Sequence, residues 1–181
     1  MRVIVVGGGP SAPQFYDWIK ASGLPVIACS TMLLPLQRAG IKVDVTVIID
    51  PSAVMVFHFR NAITDGELVY NGGIYEMVLP LWKGPRRQFD RMAGSSVLNV
   101  AVDVAVDMGA TEVHLVGADF AYTNGKSHAD GVTTAYEVRE WLEVDGWRTE
   151  SGLVHFRDQL REYIAKHPDV LLIRHGEGLP L

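Results

Sequence analysis

The residues that could do chemistry fall in three places along the chain. The first is Gly7-Gly8-Gly9-Pro10-Ser11, directly after the apolar run Val3–Val6. Glycines let the backbone approach a ligand closely. The N-terminus of the helix that follows offers free N–H groups and a positive dipole end, which favour phosphate. The second is the polar loop at residues 120–131, Phe-Ala-Tyr-Thr-Asn-Gly-Lys-Ser-His-Ala-Asp-Gly. With Asp119 before it, this loop gathers Tyr122, Asn124, Lys126 and His128 just past a strand, where site residues of α/β proteins concentrate. The same stretch also reads as an ordinary turn built on Asn124-Gly125. The third is Gly94-Ser95-Ser96, which opens a regular helix and forms a second candidate anion-binding N-terminus. Asp50 ends another strand and stands on the ligand-binding rim, or simply caps the next turn.

The spacing Gly7-x-Gly9-x-x-Ala12 fits a dinucleotide loop. Such loops are followed about 20 residues on by a carboxylate that holds the ribose. Here the second strand, Pro25–Ala28, runs into Cys29-Ser30-Thr31 with no acid. A mononucleotide or phosphorylated ligand therefore fits better than a nicotinamide dinucleotide. No Gly-Lys-Ser/Thr follows the loop, which excludes a P-loop.

These residues need a scaffold, and the hydrophobic pattern supplies one. Strands are expected at Val3–Val6, Pro25–Ala28, Val43–Ile49, 67–71, Glu112–Val116 and Val170–Ile173. Helices are expected at 13–22, 32–40, 53–62, 96–108 and 153–166. Ser11 is the expected N-cap of the first helix, and Gly23 its stop. In the fourth helix Val97, Val100, Ala101, Val104, Ala105 and Met108 form an apolar stripe. Residues 76–82 read as a short edge strand, because Pro80 excludes a central one. Lys83, Arg86, Arg87 and Arg91 form a basic cluster, either a solvated face or a phosphate-facing patch. His114, inside a strand, reads as a hydrogen-bonded core histidine. Residues 141–149 read as a hairpin turning at Asp145-Gly146, a lid or a subunit-contact arm whose Trp141 and Trp147 suggest a homo-oligomer. The alternation predicts an α/β fold: a Rossmann-like, doubly wound, mostly parallel sheet with helices on both faces, in one domain over 1–181.

Composition is consistent with this. The chain has 181 residues, 48% of them hydrophobic and 20% charged, as in a globular domain. A net charge of −5 argues against nucleic acid as a partner. No stretch is long and apolar enough to span a bilayer. A strand beginning at residue 3 leaves no room for a signal peptide. With the single Cys29, this gives a cytoplasmic expectation. Cys29 itself reads as a small buried thiol or a reactive one at a strand end.

Taken in order, Gly7-Gly-Gly-Pro-Ser11, Arg38-Ala-Gly-Ile-Lys42, Asp50-Pro51, Gly94-Ser-Ser96, Met108-Gly-Ala110, Val116-Gly-Ala-Asp-Phe-Ala-Tyr122 and Gly125-Lys-Ser-His128 resemble the 6-hydroxymethylpterin diphosphokinase MptE-like family. That family includes the glycosyltransferase-like domain of motility-associated factors. The likeness extends over nearly the whole chain. Ser30-Thr31 departs from the Asn-Ser that relatives often carry there. The chain is also shorter than the motility factors.

The resemblance implies a nucleotide-dependent transferase acting on a nucleotide donor and a small acceptor. One form moves diphosphate from ATP, with Mg²⁺, to a hydroxymethylpterin. The other moves a nonulosonic (sialic-type) sugar from a CMP donor. In either form Gly7, Gly8, Gly9, Pro10, Ser11, Ser30, Thr31, Gly94, Ser95, Ser96 and Tyr122 are expected to hold nucleotide or phosphate. Asp50 and Asp119 are the expected Mg²⁺ ligands. Lys126 is expected against phosphate, and His128 as the base toward an acceptor hydroxyl. A third reading keeps the fold as a non-catalytic nucleotide-binding or assembly module.

Overall fold

A computed structural model describes residues 1–74, 76–91, 94–132 and 141–181. Seven strands form one parallel sheet: β1 Arg2–Val6, β2 Val26–Cys29, β3 Val45–Ile48, β4 Glu67–Tyr70, β5 Arg86–Gln88, β6 Glu112–Val116 and, last in the chain, β9 Leu171–His175. They lie in the order β5-β4-β3-β2-β1-β6-β9. A separate antiparallel pair, β7 Leu142–Val144 and β8 Trp147–Thr149, is the hairpin at Asp145-Gly146. The chain runs outward from β1 to β5 and then returns to β1's other side with β6. The winding therefore reverses at β1/β6, and the crevice past the carboxyl ends of these two strands is where open α/β sheets bind ligands.

The sheet is covered on both faces, which is why β1, β2 and β3 are buried apolar runs and not alternating ones. One face packs against α4 (Val97–Asp107) and α5 (Ser151–Ala165). The other packs against α1 (Tyr16–Ser22), α2 (Leu33–Arg38) and α3 (Met55–Phe59). Parity along β1 makes the division: Val3 and Val5 join the first core, Ile4 and Val6 the second.

Helix α4 is buried almost all round, from Leu98 to Ala105, because it lies between the sheet and α5. Its buried polar groups are satisfied there: Asn99 Nδ2 donates to Phe156 O at 2.9 Å, and Asp103 accepts the Tyr163 hydroxyl at 2.8 Å.

Two expectations are corrected. Residues Glu76–Leu81 form a 3₁₀ helix and not an edge strand. The edge strand is β5, inside the basic cluster. There Arg87 bridges Glu67 and Asp107 at 2.9 and 3.0 Å, and Arg91 reaches Asp103 and Asp107. Both guanidiniums lie over the Phe89 ring. Arg87 and Arg91 thus tie an edge to α4 and are not free to meet phosphate; Lys83 and Arg86 are exposed. Charged residues suit an edge because they discourage pairing with another chain.

His114 is the satisfied strand histidine, bonded to Glu112 at 2.7 Å and His175 at 2.9 Å and packed on Trp18. Cys29 is buried, and burial pushes its thiol up to about 12, so it is the inert thiol of the two readings. Among the described residues no helix is long and apolar enough to cross a membrane.

Candidate functional site

The glycine loop leaves β1 and crosses the exit of β6 at backbone contact. Gly7 N–H donates to Val116 O at 2.8 Å, and Gly9 N–H to Gly117 O at 2.9 Å. A Cβ on Gly9 would stand 2.6 Å from Gly117 O and 2.7 Å from the Asp119 carboxyl carbon. Close packing of two strand exits therefore requires this glycine. The loop continues into a short 3₁₀ turn, Ala12–Phe15, before α1.

Ser11 makes no side-chain cap to that turn, which corrects the N-cap expectation. Its N–H and hydroxyl both go to Asp119, at 2.7 and 2.5 Å. Asp119 is buried, and desolvation raises its pKa against the lowering effect of the two Ser11 bonds and the Arg174 charge. The C-terminal tail packs against the backbone of Asp119. Leu179 N–H donates to Asp119 O at 2.9 Å, and Arg174 holds Leu179 O.

The phosphate-cradle expectation is corrected in detail by these bonds. The N–H groups of Gly7, Gly9 and Ser11 have partners within the protein, and Pro10 has none to offer. Among the described residues the N–H of Gly8 is the loop donor left over. The Gly94–Ser96 turn is likewise engaged. Ser95 N–H donates to Gln159 at 2.9 Å, and Ser96 caps α4 through Asn99 N–H. The α4 start does lie by the glycine loop, since Leu98 is 3.1 Å from where a Gly7 Cβ would be.

Around Gly8 the groups that remain available converge. The position of a Gly8 Cβ lies 3.0 Å from His128 Cδ2, 3.8 Å from His128 Nε2 and 3.5 Å from Thr31 Oγ1. Gly8 O accepts Ala129 N–H at 2.8 Å, which stitches the polar loop onto the glycine loop. Beside them is a cleft of about 160 Å³. Pro10, Pro13 and Gln14 form one wall, and Thr123, Asn124, Lys126 and His128 the other. The second wall is shaped by the turn at Asn124-Gly125. Thr123 and Lys126 exchange backbone bonds at 3.0 Å, and both turn residues have positive φ, 52° and 75°. The turn reading of this loop holds, and the turn shapes a wall of the cleft.

Lys126 pairs with Asp130 at 2.5 Å on the cleft rim. Burial lowers the pKa of His128, which favours the neutral imidazole near pH 7. Tyr122 donates to Glu150 at 3.2 Å; burial first, then the Glu150 charge, push its phenol up to about 12. Ser30 is buried beneath this rim, while Thr31 faces it. Gln14, Ser127, Glu150 and the Gly176–Leu179 tail belong to this neighbourhood without having been singled out in the sequence. Gln14 and Glu150 carry no motif, Ser127 lies inside Gly125-Lys-Ser-His128 without a role of its own, and the Gly-Glu-Gly of the tail was the available signal.

The strands that precede the expected Mg²⁺ pair, β3 and β6, are not neighbours in the sheet. They are three strand spacings apart, about 14 Å. Both Asp119 oxygens are held by Ser11. Among the described residues no three His, Cys, Asp or Glu side chains gather as a metal cage. Asp50 is a half-buried carboxylate past β3, with Oδ1 accepting Ser52 N–H at 2.8 Å. One carboxylate plus substrate phosphates is a usual Mg²⁺ arrangement.

Three comparisons bear on this geometry. The MAf glycosyltransferase from Magnetospirillum magneticum AMB-1 shares the fold, with a TM-score of 0.75 at 17% identity over 98% of this chain and 33% of that one. An uncharacterized protein of Treponema pallidum (strain Nichols) is 29% identical over 144 residues, which is 77% of this chain and 50% of that protein. The chain thus spans half of one relative and a third of the other. The model of the 6-hydroxymethylpterin diphosphokinase MptE-like family matches residues 1–125, which carry the glycine loop, Asp50, the α4 start and Asp119 through Tyr122. The chain belongs to the MptE-like family.

Proposed function

We propose that this chain is a nucleotide-dependent transferase that seats the phosphate end of a donor in the cleft between the glycine loop and residues 123–130. The observation that carries the reading is the meeting of His128, which lines that cleft, with Thr31 and Gly8. The Gly8 N–H, the Thr31 hydroxyl and Lys126 supply donors and positive charge for phosphate oxygens. Neutral His128 offers a base next to them.

In the diphosphokinase form, the acceptor's hydroxymethyl oxygen attacks the β-phosphorus of ATP. The bond from Pβ to the oxygen bridging it to Pα breaks, AMP leaves with that oxygen, and the acceptor proton passes to His128 Nε2. Mg²⁺, held by Asp50 and the donor phosphates, would neutralise their charge when bound. This form predicts conversion of ATP to AMP with hydroxymethyldihydropterin. No AMP with Mg²⁺ present, or full activity in His128→Ala, would overturn it.

One observation favours the second form, transfer of a nonulosonic sugar from CMP: Asp119 is committed to Ser11, which leaves one carboxylate for a metal. Glycosyl transfer from CMP has CMP as leaving group and no obligatory metal. Thermal shift separates the two forms. A ligand at about 100 times its Kd stabilises by roughly 2.7 kcal/mol. Stabilisation by CMP or CTP and not by ATP–Mg²⁺ selects the sugar form, and the converse selects diphosphate transfer. No shift with any nucleotide leaves a non-catalytic assembly module that keeps the fold.

A further inference from the structure

The two edges of the parallel sheet are finished differently. β5 is Arg86-Arg87-Gln88, with Arg87 tied to Glu67 and Asp107. β9, at the other edge, is Leu171-Leu172-Ile173-Arg174-His175. Its first three residues are apolar, and Leu171 is 57% exposed. The Arg174 guanidinium is folded onto Leu179 O and so does not guard the edge. Edge strands are ordinarily kept from pairing by charge, proline or cover. Among the described residues no strand pairs with the free side of β9.

The groups on that free side follow from the ladder. Leu171 N–H donates to Thr111 O at 2.9 Å, and the register runs from Leu171 beside Glu112 to His175 beside Val116. In a parallel ladder alternate residues turn both backbone groups to the same neighbour, so Leu171, Ile173 and His175 face β6. Leu172 and Arg174 turn theirs outward. The outward row stops there at both ends. Val170 N–H is taken by His167 O at 3.0 Å, and Gly176 has φ 98°, outside the extended region.

Two donors and two acceptors set two residues apart match themselves when the strand is turned end for end. We propose that β9 is the interface of a symmetric dimer, pairing antiparallel with β9 of a second copy about an axis through Ile173. Leu172 of each copy then exchanges both backbone bonds with Arg174 of the other, and every outward group is used. Shifting the pairing brings in Val170 or Gly176 and leaves outward groups unpaired. The same register covers Leu171. It stands opposite His175 of the second copy, and the His175 ring lies 4.3 Å from that of Trp18. Side chains directly opposite have Cβ atoms about 4.5–5.5 Å apart, close enough to pack. A two-fold contact of this kind uses one patch on both copies and closes on itself. The inference is independent of the transferase reading.

Sedimentation of the full chain over a concentration series is expected to show a monomer–dimer equilibrium. Cross-linking reads the register. On the axis the two Ile173 Cα atoms form a non-hydrogen-bonded pair about 4.5 Å apart, within reach of a disulfide. Ile173→Cys is therefore expected to form a covalent dimer under mild oxidation. In Leu171→Cys the two Cα atoms would be about 14 Å apart, and no covalent dimer is expected. Native Cys29 is buried and leaves the wild type uncross-linked. Ile173→Lys sets like charges across the axis and is expected to lose the dimer. Leu171→Lys, at an exposed position, is expected to weaken it with the fold intact by circular dichroism. A wild type that stays monomeric at every concentration overturns the proposal. So does a dimer that Ile173→Cys does not trap, whose interface then lies elsewhere, or a cross-link in Leu171→Cys and not in Ile173→Cys.

Discussion

Asp119 grips Ser11 with both carboxylate oxygens, across 108 residues of sequence, at 2.7 and 2.5 Å. The pair joins the exits of β1 and β6 at the point where the winding reverses. Asp119→Ala leaves the buried Ser11 N–H without a partner and is expected to cost about 1–3 kcal/mol. Asp119→Asn keeps an acceptor for that N–H and a donor for the Ser11 oxygen. Because burial raises the pKa of Asp119, its contribution is present below the unfolded carboxylate pKa and is lost as pH rises through the folded one. Asp119→Asn is therefore expected to match or exceed the wild type near pH 7 and to lose that advantage near pH 4. Urea midpoints at the two pH values check this; a large loss in Asp119→Asn at pH 7 would contradict it.

Gly8 and Gly9 are adjacent but should respond differently to alanine. At Gly9 the new Cβ meets backbone, 2.6 Å from Gly117 O, and cannot be relieved without parting the two strand exits. Gly9→Ala is expected to lose about 1–3 kcal/mol. At Gly8 the nearest atom is His128 Cδ2 at 3.0 Å, on a side chain that can rotate. Gly8→Ala is expected to change stability by less than about 1 kcal/mol. It should weaken nucleotide binding by displacing His128 and filling the cleft mouth. Chemical denaturation beside a nucleotide titration separates the two outcomes; equal loss of stability in both variants would remove the distinction.

These contrasts mark what could be read from the sequence. The apolar run Val3–Val6, the strand Glu112–Val116, the α4 helix and the Asp145-Gly146 turn follow from periodicity and turn chemistry, so the doubly wound alternation was legible. β5 was not, because an edge strand of Arg86-Arg87-Gln88 has no apolar pattern and owes its place to ion pairs with Glu67 and Asp107. The convergence of the glycine loop with His128 was legible, since both follow strands that the doubly wound topology makes neighbours. The roles inside it were not. Ser11 faces a carboxylate 108 residues away instead of its own helix, and Glu150 enters through a hairpin whose docking no local rule specifies.

Three histidines make the fold sensitive to acid. Burial lowers the pKa of His58, with Asp50 opposing it, and of His128; burial and the neighbouring His114 lower that of His175. For a base with a depressed folded pKa, stability is intact above the unfolded value. It declines as pH falls from about 6.5 toward the folded value, because the unfolded chain takes up protons first. Unfolding midpoints are therefore expected to fall between pH 7.5 and 5.5. His128→Gln is expected to flatten part of that slope. A slope unchanged in His128→Gln would show that this imidazole is not among the groups responsible.

The tail past β9 is a structural part of the site. Gly178 has φ 140°, and a Cβ there would stand 2.1 Å from Asp119 O and 2.6 Å from Asp119 Cα. Leu179 beyond it is fully buried and donates to Asp119 O at 2.9 Å. Gly178→Ala must therefore lift the tail, uncovering Leu179 and exposing the Asp119–Ser11 pair to water. Burial of a leucine side chain is worth about 1.5–3 kcal/mol, so a stability loss of that order is expected. Nucleotide binding should fall with it. Gly125→Ala is the control, because φ is also positive there, 75°, but nothing lies within 4 Å of the new Cβ. Only the left-handed strain of about 1–2 kcal/mol applies at Gly125. Protection of the Leu179 amide from hydrogen exchange separates the two mechanisms. It should vanish in Gly178→Ala and persist in Gly125→Ala; persistence in both would show that the tail does not need to lift.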